Sequence, residues 1–389
     1  MTTISESRRL VAIDALRGLV IVLMALDHVR DFWAPTPFDP TDLAQTSPAW
    51  FFTRWVTHLC APTFVFLAGV SAYFHGAHVR TTGELSRFLW TRGLWLVFLE
   101  LTVVNSSWTF FGLGPGLFAQ VIWALGWSMV VLAGLVYLPR PWVGLVALAL
   151  IVGHNLFDDV TPASFGVLGG LWNVLHVPGW IPFGEGGFGI YIAYPLIPWV
   201  GVMAMGYVVA PWLASWGTHY PMRLAAAGLA LLAVFVALRW PNAYGDAALW
   251  ATQPRGAVYS FMSFMNLTKY PPSLLYLCAT LGISLGVLAL FARSPASTLS
   301  VLVVFGRVPM FFYLLHVALI HALSELNSGL RYGAYNWYLK GPQAAPPGYE
   351  PSLPLAYGVW LAVLVMLYFA CRWYGDLKQR RSDWWLKYL

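Results

Sequence analysis

The chain has 389 residues, of which 59% are hydrophobic and only 10% charged, with a formal net charge of +6. A soluble domain carries about 25% charged residues, so the composition excludes one and specifies a polytopic membrane protein. The basic excess is scattered between apolar segments rather than gathered in a run, which argues against a nucleic-acid surface.

Apolar windows of roughly 20 residues, the length that crosses a bilayer, predict spans near 12–33, 52–75, 88–107, 117–138, 142–157, 189–212, 222–240, 271–292, 299–323 and 354–374. That makes about ten helices. The first follows Arg8 and Arg9 as a signal peptide's apolar region would. Charges interrupt its core and no small-x-small cleavage site follows, so it reads as a retained span. Lys and Arg concentrate in cytoplasmic loops. With the N-terminus inside, 15 of the 22, counting Arg8, Arg9 and Lys387, fall inside or at inner helix ends, which predicts two cytoplasmic termini. The outer loops, about 34–51, 158–188, 241–270 and 324–353, are long and rich in Pro, Gly and aromatics, as in "VLHVPGWIPFGEGGFG". Long ordered loops usually serve function, so acceptor or ligand chemistry is expected to open outward. No internal repeat or separate soluble domain is visible. The predicted fold is an all-α transmembrane helix bundle forming one integral-membrane domain over 1–389. Cys60, Cys278 and Cys371 lie in apolar stretches without CxxC spacing, which suggests neither a zinc site nor a disulfide framework.

The first span also carries Asp14, Arg17, Asp27, His28, Arg30 and Asp31, at ~2.5–3.5 kcal/mol for each charge placed at mid-bilayer. Asp14, Arg17, Ile21, Met24, His28 and Asp31 follow one stripe at spacings of three and four. Arg17 and His28 therefore share a face about 16 Å apart along the axis. One reading makes Asp14–Arg17 and His28–Asp31 simple i,i+3 pairs that neutralise one another inside a bundle. The other reading adds residues from further helices. Arg307 lies at the same inner level as Arg17, His58 and His316 lie at the outer level of His28, and Glu100 lies between. Lys269 opens "KYPPSLLYLCATLG" at the outer boundary.

The two levels suit different work. Arginine offers a planar fork of donors that matches phosphate, whereas histidine exchanges a proton near neutral pH. An enzyme with a phosphate-bearing donor on one side and an acceptor on the other needs this distribution. A proton-coupled transporter could use it equally, with His28, Glu100 and Asp27 as a relay. His316 and His321 also read individually as core histidines bonded to carbonyls. His75 and His78 have i,i+3 spacing but no carboxylate or thiol beside them, so no metal is expected. "GLGPGLF" and "GEGGFGI" lack phosphate-loop spacing, and no GxSxG motif is present.

The opening stretch resembles the heparan-α-glucosaminide N-acetyltransferase catalytic family, and more closely its bacterial membrane relatives. The residues that carry the resemblance are Arg9, Asp14, Arg17, Gly18, Met24, His28, Arg30 and Asp31, in the pattern R-x(4)-D-x-x-RG-x(6)-M-x(3)-H-x-RD. "APTFVFLAG" at 61–69, "KYPPSLLYLCATLG" at 269–282 and "FGRVPMFFYLLHVALIH" at 305–321 extend it along the chain. The Arg17-to-His28 interval is also similar to the Arg-x10-His signature of the broader acyltransferase family 3.

The resemblance implies a transmembrane acyltransferase. Such a protein moves an acyl group, usually acetyl, from cytoplasmic acyl-CoA to an extracytoplasmic sugar or related envelope acceptor. His28 becomes the catalytic residue, as general base or transient acyl carrier, with Asp31 or Asp27 setting its tautomer. His58 and His316 stand at the same catalytic level. Arg17 and Arg307, with Asp14 beside them, become the CoA-phosphate site, tuned by Glu100. In one respect the sequence departs from the family: the segment around Ser47, before the second span, carries no histidine where the lysosomal member has one. Either His28 or His58 fills that role, or the reaction differs. The implied location is a bacterial cytoplasmic membrane. The expected partners are the bilayer, acetyl-CoA or another acyl-CoA as co-substrate, and a carbohydrate or envelope-glycan acceptor. A second copy of the chain is left open, and nucleic acid is not among the partners. The competing readings are the transporter and a non-catalytic membrane scaffold.

Overall fold

Helix α1 (Ile4–Trp33) is 30 residues long, about 45 Å at 1.5 Å per residue, and it occupies the centre of the bundle. Its apolar face is almost fully sequestered: Ile13, Leu16, Val20, Ile21, Met24, Ala25, Val29 and Phe32 are all buried. The computed structural model describes residues 4–110, 116–185, 187–215, 219–337, 340, 342–381, 383 and 386, without the side chains of 4–10, 214, 215 and 342. The side chains of Arg8 and Arg9, Lys387, and parts of the two Gly-rich stretches at 111–115 and 186 lie outside the described residues.

After α1 come α2 (Pro48–Val56), α3 (Cys60–Gly76), α4 (Thr82–Leu99), α5 (Asn105–Thr109), α6 (Val121–Leu135), α7 (Arg140–Gly153), α8 (Gly169–Leu175), α9 (Leu196–Ser215), α10 (Tyr220–Arg239), α11 (Ala257–Met265), α12 (Leu274–Arg293), α13 (Ser300–Arg307), α14 (Pro309–Tyr332) and α15 (Leu353–Arg380). Eight stretches are long and apolar enough to cross a membrane: Pro48–Gly76, Thr82–Thr109, Arg140–Phe157, Leu196–Leu213, Tyr220–Arg239, Leu274–Arg293, Pro309–Tyr332 and Leu353–Arg380. The short apolar α6 and the charge-bearing α1 account for the other two predicted spans. The protein is an all-α polytopic membrane bundle. The end at which α1 begins is termed the inner end. Inner connections such as 77–81 and 136–139 are short, and outer ones such as 158–195 and 240–273 are long.

Several spans differ from their windows for local reasons. The predicted span 299–323 is two helices, because Pro309 drives the residue before it out of helical geometry; Val308 has φ −128° and ψ 50°. The α14 helix then continues to Tyr332 on a polar face, with Ser324, Glu325 and Ser328 buried inward, where an apolar window stops. The starts of the predicted spans 117–138 and 189–212 are strands. β1 (Gly116–Ala119), β2 (Gly179–Pro182) and β3 (Gly189–Ile192) make a small sheet ordered β1-β3-β2. β1 runs parallel to β3, with Gly116 opposite Gly189, and β2 runs antiparallel to it. This sheet sits at the outer end, directly before α6.

The crossing of α1 and α13 is the tightest contact relevant to function. A Cβ on Gly18 would collide with the Leu302 carbonyl oxygen, and one on Gly306 with the Asp14 carbonyl oxygen. Two small residues facing each other let membrane helices approach closely. The glycine of "RG" thus brings Arg307 beside Asp14 and Arg17. Gly18→Ala should lower the thermal transition in detergent through overpacking worth about 1–3 kcal/mol. Gly134→Ala, at a helical position with open space around its added Cβ, should leave the transition unchanged or raise it slightly. Equal behaviour of the two variants would contradict the close-approach role of Gly18.

Candidate functional site

A cavity of about 510 Å³ opens among α1, α3, α4, α6, α13, α14 and α15. Arg17, Arg92, Arg307, Lys378 and His75 line it, against the single carboxylate of Asp14. Arg17 is fixed on two sides: one Nη donates to Asp14 Oδ1 at 2.9 Å, the other to Ser71 Oγ of α3 at 2.5 Å. Asp14 Oδ2 lies 3.9 Å from Arg307 Nε, whose side chain stays half exposed. Asp14 is therefore the counter-ion that holds the two guanidinium groups rather than a ligand for an anion. Deeper in, the walls turn apolar, with Met24, Leu96, Val121, Ile122 and Tyr313. Met24 stands one helical turn below His28.

His28 is paired across the bundle. Its Nδ1 lies 2.7 Å from His316 Nε2, and the rings stack 4.9 Å apart at 16°. His316 Nδ1 in turn lies 2.7 Å from the Tyr313 carbonyl oxygen and 3.1 Å from that of Phe312. Carbonyl oxygens only accept, so His316 carries its proton on Nδ1. In a neutral ring its Nε2 is then an acceptor. His28 must donate from Nδ1, which leaves the lone pair on His28 Nε2. This assignment follows from the bonding pattern and makes Nε2 the basic atom. The Trp108 ring stands edge-on to His28 at 5.1 Å, and its indole N–H is buried without a hydrogen-bond partner among the described residues.

The carboxylates expected to orient His28 are engaged elsewhere. Asp31 Oδ1 accepts from Arg30 at 2.6 Å. Asp27 lies between Arg30 and Arg54, at 3.0 and 2.6 Å. Each aspartate satisfies a buried arginine, so the tautomer of His28 is set by His316 and not by Asp31 or Asp27. His58 does not join the pair either. It forms a 3-10 turn between α2 and α3, its ring lies 5.4 Å from that of Tyr276, and its Nδ1 has no partner among the described residues. Lys269 lies on the same outer side, with its ammonium 5.1 Å from the Tyr270 ring centroid.

Glu100 also departs from expectation. It opens a π-helical turn, Glu100–Val104, between α4 and α5. Its Oε2 accepts from the Ile122 and Trp123 amides at 3.0 and 3.3 Å. Those are among the first α6 amides, which have no partner inside their own helix. Glu100 thus caps α6 from a neighbouring helix and makes no bond to Arg17. Nearby, Asn105 Oδ1 accepts from the Phe118 amide at 3.2 Å, so one helical turn anchors both β1 and α6. His321 fits the plain core reading, its Nδ1 lying 2.7 Å from the Ser107 carbonyl oxygen.

Arg92, Lys378, Ser71 and Trp108 were not singled out in the sequence. Arg92 could have been, as a cation about three turns inside a membrane helix, whereas Lys378 stands in the last turn of α15. Ser71 and Trp108 carry no such signal.

The fold and this geometry define a membrane-embedded protein with a cationic cavity at one end and a buried histidine pair toward the other. Residues 9–244 match the heparan-alpha-glucosaminide N-acetyltransferase catalytic family. The match covers more than half of the chain, and the chain belongs to that family. Membership makes acetyl transfer its class of reaction. The match contains Arg17, His28 and Glu100, whereas Arg307 and His316 come from helices beyond it. No curated protein matches the chain.

Removing the Glu100 cap leaves two buried amides unpaired, at about 1–3 kcal/mol each. Glu100→Ala should therefore lower the thermal transition by several degrees. Glu100→Gln keeps an amide oxygen as acceptor and should retain most of it. An equal loss in both variants would assign Glu100 to charge chemistry rather than capping.

Proposed function

We propose that the protein takes an acetyl group from acetyl-CoA, or a longer acyl group from its acyl-CoA, at the inner side of a bacterial cytoplasmic membrane. It delivers the group to a hydroxyl or amine of an extracytoplasmic sugar or related envelope acceptor. The observation that carries this reading is a cavity whose mouth is cationic and whose apolar depth ends a helical turn from a histidine with a defined basic nitrogen. Arg17, Arg92, Arg307 and Lys378 suit a CoA phosphate cluster. The apolar walls suit its thiol arm. His28 Nε2 takes the proton of the acceptor hydroxyl or amine as the acceptor atom bonds to the acyl carbon. The carbon–sulfur bond then breaks, and the CoA sulfur receives that proton from the imidazolium. His316 keeps Nε2 free for this by accepting from Nδ1. The Trp108 N–H, buried beside the ring without a partner among the described residues, supplies a spare donor for the developing oxyanion. The charged outer rim of Asp27, Arg30, Asp31, Arg54 and Lys269 offers the acceptor polar partners. The transporter reading gains nothing, because Glu100 and Asp27 are spent on a helix cap and two arginines.

Binding and turnover with purified protein test this reading. Loss of one charge-assisted contact is worth about 1.5–3 kcal/mol, so Arg17→Ala should bind acetyl-CoA about 10- to 100-fold more weakly. His28→Ala should bind it almost as wild type while losing about 10²–10⁴-fold in transfer. His316→Ala should lower kcat without raising KM. Absence of saturable binding by folded wild type, to acetyl-CoA and to longer acyl-CoAs, would overturn the donor assignment.

A further inference from the structure

The outer end of α7 holds a second histidine cluster that the acetyl-transfer reading does not use. α7 ends in a 3-10 turn, His154–Phe157, and His176 follows α8. The two rings meet across the outer loop. His154 Nδ1 lies 3.4 Å from His176 Nε2, and Asp158 Oδ1 lies 3.8 Å from the same nitrogen. One ligand atom from each of the three residues falls within 4.8 Å of the others. Tetrahedral ligands at ordinary zinc–nitrogen distances are about 3.4 Å apart, so little movement is needed to close the site on an ion.

Two further features fit a ligand at this point. Both imidazoles are almost fully buried, at 2% and 1% exposure. The carboxylate is also oriented from behind. Asn155 Nδ2 donates to Asp158 Oδ2 at 2.9 Å, leaving Oδ1 toward the histidines, as outer-shell groups do at metal centres. Asp158 keeps 20% of its side chain exposed, which gives an ion a route in from the outer side.

We propose that His154, Asp158 and His176 form a divalent-cation site of the zinc class, with its fourth position open to water. Two imidazoles and one carboxylate suit zinc better than the all-oxygen shells of calcium or magnesium. The cation replaces the hydrogen bond that His176 Nε2 gives the His154 carbonyl oxygen, and the proton moves to Nδ1. Its role is architectural. Asn155 Oδ1 also accepts from the Leu274 amide at 3.0 Å, so an ion here clamps the end of α7 and the outer loop to the start of α12. That clamp steadies the Lys269–Ser273 segment on the outer rim. The site stands apart from the donor cavity and does not depend on the acetyl-transfer reading.

The test uses tag-free full-length protein in detergent, stripped by a chelator and titrated with zinc chloride. Bound metal is measured by elemental analysis after gel filtration, and the thermal transition is followed in parallel. Wild type should retain one zinc per chain and unfold at a higher temperature with it, while magnesium has no effect. His176→Gln should bind at least about 100-fold more weakly, and Asp158→Asn about tenfold. His75→Gln should bind as wild type does. A metal-free gel-filtration profile like that of wild type certifies that a variant is folded. Zinc-free folded wild type, or binding unchanged in both His176→Gln and Asp158→Asn, would overturn the proposal.

Discussion

An ionisable side chain carried into a membrane must find a partner there, because water is not available to solvate it. Over residues 12–33 α1 carries six such groups, and the partners it needs on other helices largely decide where those helices stand. Arg17 reaches Ser71 of α3, Asp14 faces Arg307 of α13, Asp27 holds Arg54 of α2, and His28 meets His316 of α14. Four polar contacts along one helix thus fix four neighbours around it. Apolar packing alone would favour this arrangement only weakly, since lipid tails compete equally well for apolar surfaces. The glycine contact between α1 and α13 serves the same end by letting Arg307 come close.

The pairing also separates two kinds of chemistry along the axis. At the inner level the arginines face a cavity with a single carboxylate between them, so the net local charge is positive and an anionic ligand is favoured. At the outer level the arginines are neutralised by Asp27 and Asp31, and the histidines bond to each other and to backbone carbonyls. In the proposed reaction an always-charged group binds and a neutral, titratable one handles a proton. About 16 Å of rigid helix keeps the two in register.

Much of this was legible in the sequence, because helical spacing is a local property. The stripe Asp14–Arg17–Met24–His28 and the two levels follow from intervals of three, four and eleven on one element. The polytopic all-helical fold follows from composition. The partners were not legible in the same way. Asp31 sits three residues from His28, where local spacing offers it as the orienting group, whereas the actual partner is 288 residues away. Glu100 reads as a charge between two levels, and its real task depends on where α6 begins. The strands of the outer sheet are four residues long and lie inside glycine-rich loops, below the reach of a 20-residue window. His154 and His176 belong to different loops of the sequence, and only the fold brings them together.

The central claim is that the donor enters from the inner end and reaches the level just below His28. A cysteine at position 24 tests it most directly, since Met24 lines the cavity on that face of α1 and the native cysteines are buried. The rate of modification of Met24→Cys by a small thiol reagent is compared with that of Ala44→Cys on the exposed outer loop, with and without acetyl-CoA. The account predicts that acetyl-CoA slows labelling at position 24 and leaves position 44 unchanged. Labelling at position 24 that is indifferent to saturating acetyl-CoA in folded protein would contradict it.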